Sequence, residues 1–537
     1  MTTYGIWIII LAIGYTFALI IAGQFAKRKL TKKGSYFVGD RNFNKWIIAF
    51  CITGLFSGST YISILELSYL SGISAVWYGV AEIVQIFIIA FLIIRSFRKK
   101  MLVTVSGLIG DKYGRSAKGI AGAITAFAFP MWSVATAIAF ASAIHVFTGI
   151  SLTLSVAFTA LLLFVYLQAG GMWSIAFTQT MNIILFAAMI VIGVIAFFIH
   201  PGIEGIRALA IDKPAMFHFG NAGLQVIVVW FGTFLVNVIL AQAAFQMALS
   251  SKTPEEGQKG LIMAGVLAVP FIVGGSLFGI SAAIVVPNAQ TGLIAIPLYL
   301  MEVLPAPLVG LFFLGVWACA LGWGGPCQFS GATSLGRDTG SALNPAASEN
   351  QLIKYTKISL LLLTVLMIVF GFMRTEQSAW WNVLAWTIRN SATFAPVIAA
   401  LFWPVVKKHA VIASLCTGFT SGLLWYYLGG WDPNDFYMQI HPVWVGSSAN
   451  VLTITLATLI DRKPDWYIKK GDRIAYLGVA GGILFTLLNV INLKSFYENG
   501  LFGLFFFAAI LSFFIMIIRL IRPKAEKERT MSDVSGL

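Results

Sequence analysis

The sequence predicts an all-α integral membrane protein with about 15 transmembrane helices. Of its 537 residues, 58% are hydrophobic and 11% are charged, against roughly 25% charged residues in an average soluble domain. The mean hydropathy is +0.86, so most of the surface must face lipid. This composition excludes a soluble enzyme, because so few charges cannot cover a surface in contact with water.

Fifteen apolar runs approach the length of about 20 residues that a helix needs to cross a bilayer core about 30 Å thick. The first run is too long for a signal peptide and no basic segment precedes it, so we expect it to remain as a span. The runs lie at residues 4–26, 46–70, 75–94, 119–146, 152–168, 170–199, 223–249, 261–287, 306–333, 357–373, 382–403, 409–429, 443–460, 474–492 and 501–519.

The distribution of basic residues predicts the orientation of these spans. Segments between spans that are rich in Lys and Arg hold 31 of the 36 basic residues, and they alternate with segments that are poor in them. Because basic segments stay in the cytoplasm, we expect a multi-pass protein of the cell membrane with its N-terminus outside and its C-terminus inside. The net charge of +15 then reflects topology and attraction to anionic membrane lipid, and it does not call for a nucleic-acid partner.

Three charged residues lie well inside the predicted spans: Glu66, Glu82 and Arg389. An ionised residue at the centre of a span costs about 2.5 to 3.5 kcal/mol on insertion scales, so each one needs a reason. One interpretation is a structural ion pair between a carboxylate and Arg389. The other is a site for a proton, a cation or a solute.

The second predicted span contains an unusual number of polar residues in the stretch FSGSTYISILELSYLSG (56–72). So many hydroxyls are typical of a buried helix, and a break near Ser57 to Thr60 would free backbone groups for an ion or a solute. The alternative is that these small residues only allow close helix packing.

Several short motifs follow one another along the spans. They resemble the signature order of the sodium:solute symporter family over roughly residues 4–460. The motifs are FVGDR (37–41), SGST (57–60), WYG (77–79), DKYG (111–114), GGMWS (170–174), the pair Gln242 and Gln246, and Asp338 followed by NPAASENQLIKY (344–355).

The resemblance implies one transporter domain over residues 1–537, with a core of two inverted five-helix repeats and broken second and seventh spans. Gly232 and Thr233 are the expected break in the seventh span. The parts are an extra N-terminal span (4–26), the first repeat (46–199), the second repeat (223–403), flanking spans (409–460), an extra C-terminal hairpin (474–519) and a cytoplasmic tail (520–537).

The resemblance also implies where solute and ion would bind. The expected solute-binding residues are Ser59, Thr60, Glu66, Tyr78, Glu82 and Arg389. The positions that correspond to the family's sodium ligands are Thr53, Phe56, Gly322, Gly325, Pro326 and Gln179.

These ion positions depart from the family pattern. The ninth span of sodium-coupled members presents hydroxyls, whereas this chain has two glycines and a proline there. Gln179 stands where the family has an aspartate associated with a further sodium position. Sodium needs several oxygen ligands in exchange for its lost water, so the sequence predicts a degenerate sodium site. Two explanations fit: a protonatable carboxylate has replaced sodium as the coupling element, or the solute is itself cationic and the carboxylates bind it.

The predicted function is a secondary active transporter that moves a small solute by alternating access. The expected partners are the solute, a coupling cation (H⁺ or Na⁺) and lipid, with no resident cofactor or metal. The alternative is a membrane sensor derived from a transporter that works with a separate signalling partner. An enzyme is not expected, since no nucleophile with an oriented base is visible in the sequence.

Overall fold

The fold is described from a computed structural model. The structure describes residues 2–27, 35–38, 41–99, 104–168, 171–460, 466–469 and 471–524. Residues 39–40 of the FVGDR motif, Gly170 of the GGMWS motif and the end of the predicted tail lie outside these ranges.

The described chain is almost entirely helical, as the apolar runs predict. The α-helices are α1 (Thr3–Lys27), α2 (Ser35–Val38), α3 (Lys45–Ile52), α4 (Gly58–Ser71), α5 (Val76–Ile88), α6 (Ile94–Lys99), α7 (Val105–Tyr113), α8 (Arg115–Thr148), α9 (Leu152–Leu167), α10 (Met172–Ile199), α11 (Gly202–Asp212), α12 (Leu224–Asn237), α13 (Gln242–Ala248), α14 (Pro254–Leu267), α15 (Val269–Val285), α16 (Gly292–Val303), α17 (Ala306–Ala332), α18 (Gly340–Leu343), α19 (Glu349–Met373), α20 (Ser378–Phe402), α21 (Lys408–Leu428), α22 (Pro442–Leu459), α23 (Arg473–Ile491), α24 (Leu493–Glu498) and α25 (Phe502–Leu520).

Two short strands and several irregular helical turns complete the described chain. Strands β1 (Trp466–Ile468) and β2 (Ile521–Pro523) pair antiparallel. The π-helical segments are Thr53–Ser57, Ile89–Ile93 and Thr333–Thr339, and the 3₁₀ turns are Gly72–Ala75, Pro214–Phe217 and Tyr437–Gln439.

The structure supports a multi-pass membrane protein but does not confirm fifteen spans. Eleven helical stretches among the described residues are long and apolar enough to cross a membrane, or up to twelve if the bent pair α12 and α13 is one span. One reason for the lower number is that residues 45–98, expected as two spans, form a single helical stretch of 54 residues. Another is that α9 has only 16 residues.

The two expected helix breaks differ from the prediction. The chain stays helical through Ser57 to Thr60, and the irregularity is the π-helical segment 53–57 just before them. A π-helical turn shifts the backbone pairing without opening the helix. In the seventh predicted span the chain bends by 47° between α12 and α13, so the break follows Gly232 and Thr233 instead of falling on them.

The described chain forms two compact units. The first comprises residues up to Thr104, Thr125–Gly223 and Trp230–Ala385, and the second comprises Val105–Ile124, Leu224–Val229 and Trp386–Leu537. In the first unit, α17 is buried along nearly its whole length. In the second unit, Gly478 and Gly482 of α23 lie one helical turn apart, and added Cβ atoms there would meet Ser512 and Phe513 of α25 at 2.8 and 2.6 Å. Small residues at this spacing let the two helices of the hairpin approach closely.

Candidate functional site

A row of polar side chains follows one face of α4 in the first unit. Thr60, Ser63 and Glu66 are spaced three residues apart, so they lie on neighbouring turns of one helix face. Each is at most 1% exposed. Polar groups this deeply buried need partners, and the three residues find them on α5 and on the first turns of α20.

The hydroxyl of Thr60 donates a hydrogen bond of 2.5 Å to Oε2 of Glu82 on α5. The side chain of Glu82 is 2% exposed, and its second oxygen, Oε1, has no hydrogen-bond partner among the described residues. Gln85 lies one turn further on the same face of α5 and is fully buried, and within the described part of the chain neither end of its amide has a partner. The α5 face therefore presents a carboxylate and an amide with unused hydrogen-bonding capacity.

Asn382 on α20 connects the middle of this row to α5. Its Nδ2 lies 3.3 Å from both the Ser63 hydroxyl and the Tyr78 hydroxyl and donates to each. Its backbone carbonyl accepts a hydrogen bond of 3.2 Å from Trp132. The ring of Tyr78 is held edge-on by Trp230 and by Phe234, with centroids 5.7 and 5.3 Å away. The hydroxyl of Tyr78 is thus fixed beside Asn382.

Glu66 has a different environment from Glu82. Its Oε2 accepts a hydrogen bond of 2.7 Å from the Ser378 hydroxyl and one of 3.3 Å from the backbone N–H of Ala379. Both donors belong to the first turn of α20, where backbone N–H groups lack helical partners and a negative charge is favoured. These contacts let Glu66 stabilise the start of α20, and its expected contact with the solute stays a prediction.

Two further predicted solute-binding residues, Ser59 and Arg389, are described by their own surroundings. Ser59 is buried on α4, next to Thr60 in the chain. Arg389 belongs to the second unit, where its Nε and Nη2 donate to Oδ1 of Asn390 at 3.2 and 2.8 Å. The expected partnership of Arg389 with a carboxylate stays a prediction.

Among the predicted ion positions, Gln179 and Gly322 lie close together. Nε2 of Gln179 donates a hydrogen bond of 2.6 Å to the carbonyl of Gly322, and the π-helical segment holding Thr53 and Phe56 passes beside them at Gly54. Gly325 faces elsewhere, since an added Cβ there would lie 3.4 Å from the ring of Tyr166.

The pair Gln242 and Gln246 joins α13 to α17. Nε2 of Gln242 donates to the Ser330 carbonyl at 3.1 Å and to the Ser334 hydroxyl at 2.9 Å. The Ser330 hydroxyl donates to Oε1 of Gln246. The hydroxyl of Thr333 donates to the Phe329 carbonyl of its own helix at 2.8 Å. The hydroxyls that follow Pro326 in the chain are thus occupied by hydrogen bonds to other protein groups.

Sequence reasoning missed four residues of the buried face: Ser63, Gln85, Ser378 and Asn382. Gln85 follows Glu82 by three residues in an otherwise apolar run, which is the spacing of one helix face. Ser378 and Asn382 precede or begin a predicted span and gave no signal, because their partners are about 300 residues away in the chain.

The long apolar helices of the described residues define the class of multi-pass membrane proteins. A model of the sodium:solute symporter family matches residues 36–418, which is most of the chain. The chain belongs to the sodium:solute symporter family.

Two curated relatives cover most of the chain. It is 21% identical over 439 residues to a sodium/pantothenate symporter of Haemophilus influenzae, covering 76% of this chain and 88% of that protein. It is 22% identical over 457 residues to the human high affinity choline transporter 1, covering 79% and 76%. These relatives are transporters, so an enzyme has no support among them, and neither does the sensor alternative.

A solved structure shares the fold. It is a Na⁺-coupled sialic acid symporter in a substrate-bound, outward-open state, with a TM-score of 0.70 at 17% identity. The alignment covers 86% of this chain and 99% of that one.

Proposed function

We propose that this protein is a secondary transporter that binds a small solute at the buried face formed by α4, α5 and the first turns of α20. The observation that carries the proposal is Glu82, a fully enclosed carboxylate with one oxygen held by Thr60 and the other without a partner among the described residues. A structural carboxylate would use both oxygens, as a buried group without partners is costly.

The charge of Glu82 has to be balanced when the site is closed to water. A proton taken up with the solute would neutralise it, and a cationic group on the solute would pair with it. In both alternatives, solute binding depends on how the charge of Glu82 is balanced. The family and the names of two similar proteins support a small solute and sodium as the coupling cation, and they give no support to the doubt about sodium coupling, so both alternatives rest on the environment of Glu82 alone.

The remaining polar groups of the face would orient the solute. Tyr78 and Asn382 are fixed beside each other, and the Asn382 Oδ1 has no partner in the described part of the chain. The indole of Trp230 and the ring of Phe234 enclose Tyr78. This combination of apolar walls and a few directed polar groups is typical of small-molecule sites. Ser59 and Arg389 are retained as proposed contacts.

We further propose that the core consists of two inverted repeats, residues 46–199 and 223–403, in a topology with the N-terminus outside. The alternation of basic segments supports this orientation. In a cysteine-free protein, a cysteine at Lys494 should react with a membrane-impermeant thiol reagent added outside intact cells, and one at Lys252 should not. The reverse pattern would exclude the orientation. Cys416 must be replaced for this experiment because it is exposed.

The experiment that tests the function uses proteoliposomes. A panel of small amines, carboxylates and sugars is first screened for thermal stabilisation of the purified protein, and a compound that stabilises is then used for uptake and exchange. Glu82→Gln keeps the shape and the acceptor for Thr60 while removing the charge. With proton coupling, this variant should lose concentrative uptake and retain exchange. With a cationic solute, uptake and exchange should fall together.

Glu302→Gln is the matched control, because Glu302 is an exposed carboxylate on α16 and its neutralisation should leave both activities unchanged. Unaltered uptake and exchange in Glu82→Gln would reject the proposed site.

A further inference from the structure

The helix α17 contains a proline at position 326. Proline has no backbone N–H, so the carbonyl four residues earlier in a helix loses its normal donor. In α17 that carbonyl belongs to Gly322. A buried carbonyl without a donor is costly, and Gly322 is fully enclosed by its neighbours.

Gln179 of α10 supplies the missing donor. Its Nε2 lies 2.6 Å from the Gly322 carbonyl oxygen, although the two residues are 143 positions apart in the chain. The Gln179 side chain is 1% exposed. Its Nε2 thus donates to the carbonyl that Pro326 leaves free, while its Oε1 accepts a hydrogen bond of 3.4 Å from Asn182.

The same amide lies where three helical segments cross. A Cβ added to Gly54, in the π-helical segment 53–57, would lie 2.0 Å from Oε1 of Gln179, and one added to Gly322 would lie 2.5 Å from the carbonyl oxygen of Gly54. Only the absence of side chains at both glycines admits the amide and this close approach of the backbones. The crossing therefore contains a neutral N–H donor packed between carbonyl groups.

A sodium ion does not fit this arrangement. It would need several oxygen ligands, but the Gly322 carbonyl already accepts from Gln179, and an N–H group pointing toward the crossing repels a cation. The nearby Thr178 hydroxyl is also engaged, since it donates to the Ser174 carbonyl at 3.0 Å and accepts from Tyr166 at 2.8 Å.

We propose that the Gln179 amide, bonded to the carbonyl that Pro326 frees, replaces the coupling sodium ion and holds α10, α17 and segment 53–57 together without it. The link to transport rests on the proposed function, whereas the absence of a sodium requirement at this crossing is a property of the protein alone. The solute would then be coupled to another ion or to its own charge.

The test uses the full-length purified protein in detergent and compares its melting temperature in NaCl and in N-methyl-D-glucamine chloride at equal ionic strength. Gln179→Glu keeps the shape of the side chain but places a carboxylate oxygen against the Gly322 carbonyl. A cation is then needed to bridge the two oxygens. The wild type should melt at the same temperature in both salts. The Gln179→Glu protein should melt lower without sodium and gain roughly 2 °C or more, saturably, when sodium is added.

Asn489→Asp is the matched control. Asn489 of α23 is buried and donates to the Phe502 carbonyl at 3.3 Å, which is not a carbonyl freed by a proline. This variant should melt lower by the same amount in both salts. If Gln179→Glu does not fold, the comparison of the wild type in the two salts decides alone.

Saturable sodium stabilisation of the wild type would overturn the proposal. So would a loss of stability in Gln179→Glu that sodium does not restore, because that is the behaviour of a purely structural amide. An equal sodium response in Asn489→Asp would show that the effect is not specific to the crossing. None of these outcomes depends on solute transport, so they can be distinguished from a failure of the proposed function.

Discussion

Asn450 in the second unit donates a hydrogen bond to a backbone carbonyl that a proline leaves without its helical donor, as Gln179 does in the first unit. Pro396 of α20 leaves the Ala392 carbonyl without its helical donor, and Nδ2 of Asn450 donates to that carbonyl at 2.9 Å. Oδ1 of Asn450 accepts from the backbone N–H of Ala395 at 2.8 Å. The side chain is fully buried, and it also bonds to Ser414 of α21. Asn450→Ala is therefore expected to leave at least two backbone groups of α20 without partners.

The expected loss can be worked out from these bonds. An unsatisfied buried group costs about 1 to 3 kcal/mol, while side-chain hydrogen bonds measured inside a membrane protein average about 0.6 kcal/mol. Two backbone groups give about 2 to 6 kcal/mol by the first value and about 1.2 kcal/mol by the second, so the free energy of unfolding should fall by an intermediate amount of about 2 to 4 kcal/mol. Pro396→Ala returns an N–H group to the Ala392 carbonyl, so in that background Asn450→Ala should cost about 1 to 2 kcal/mol less.

The assay is reversible unfolding of the four proteins of this cycle in mixed micelles. Asn489→Ala is the control, because Asn489 is also buried but makes one long hydrogen bond of 3.3 Å, to the Phe502 carbonyl. It should cost less than about 1 kcal/mol. If the changes in unfolding free energy caused by Asn450→Ala and Pro396→Ala are additive, Asn450 does not compensate for the N–H that Pro396 lacks. The same interpretation then loses its support for Gln179.

Two further predictions concern charged residues at helix ends. Glu66→Gln removes the negative charge from the start of α20 and should lower the free energy of unfolding by about 1 kcal/mol, which reversible unfolding of the two proteins would check. Asp472 accepts hydrogen bonds from Arg519 at 3.1 and 2.6 Å, and these hold the pKa of Asp472 below its ordinary value of 3.8. Its contribution to stability is present above pH 3.8 and is lost as the pH falls through the lower pKa of the folded state. Melting curves of wild type and Asp472→Asn should converge below pH 3.8, and a constant difference down to pH 2 would contradict this.

The sequence alone identified the membrane class and the two intramembrane carboxylates, because charge within an apolar run is visible without a structure. Periodicity could also have found Gln85. The roles of the two glutamates could not be separated, since they depend on contacts with Thr60 at one and Ser378 at the other, and the second contact spans 312 positions.

The helix irregularities were only partly predictable. The many polar residues at 56–72 correctly indicated a buried segment. They did not reveal that the helix is irregular at the π-helical segment 53–57 and regular after it. Pro326 and Gln179 were recognised as departures from the family's ion ligands. Gln179 compensates for the N–H that Pro326 lacks only because Gly54 packs against Gly322. No local sequence pattern predicts this packing.

The central claim is that the charge of Glu82 belongs to the solute site. The most direct test is the affinity of the purified protein for a compound found in the stabilisation screen, measured from pH 5 to pH 8 in the absence of sodium. The wild type should bind the compound with an affinity that changes with pH, and the Glu82→Gln protein should show no such change. With proton coupling, the variant resembles the protonated residue and retains affinity. With a cationic solute, it lacks the charge that pairs with the solute and loses affinity. Identical pH profiles for the two proteins would contradict the account.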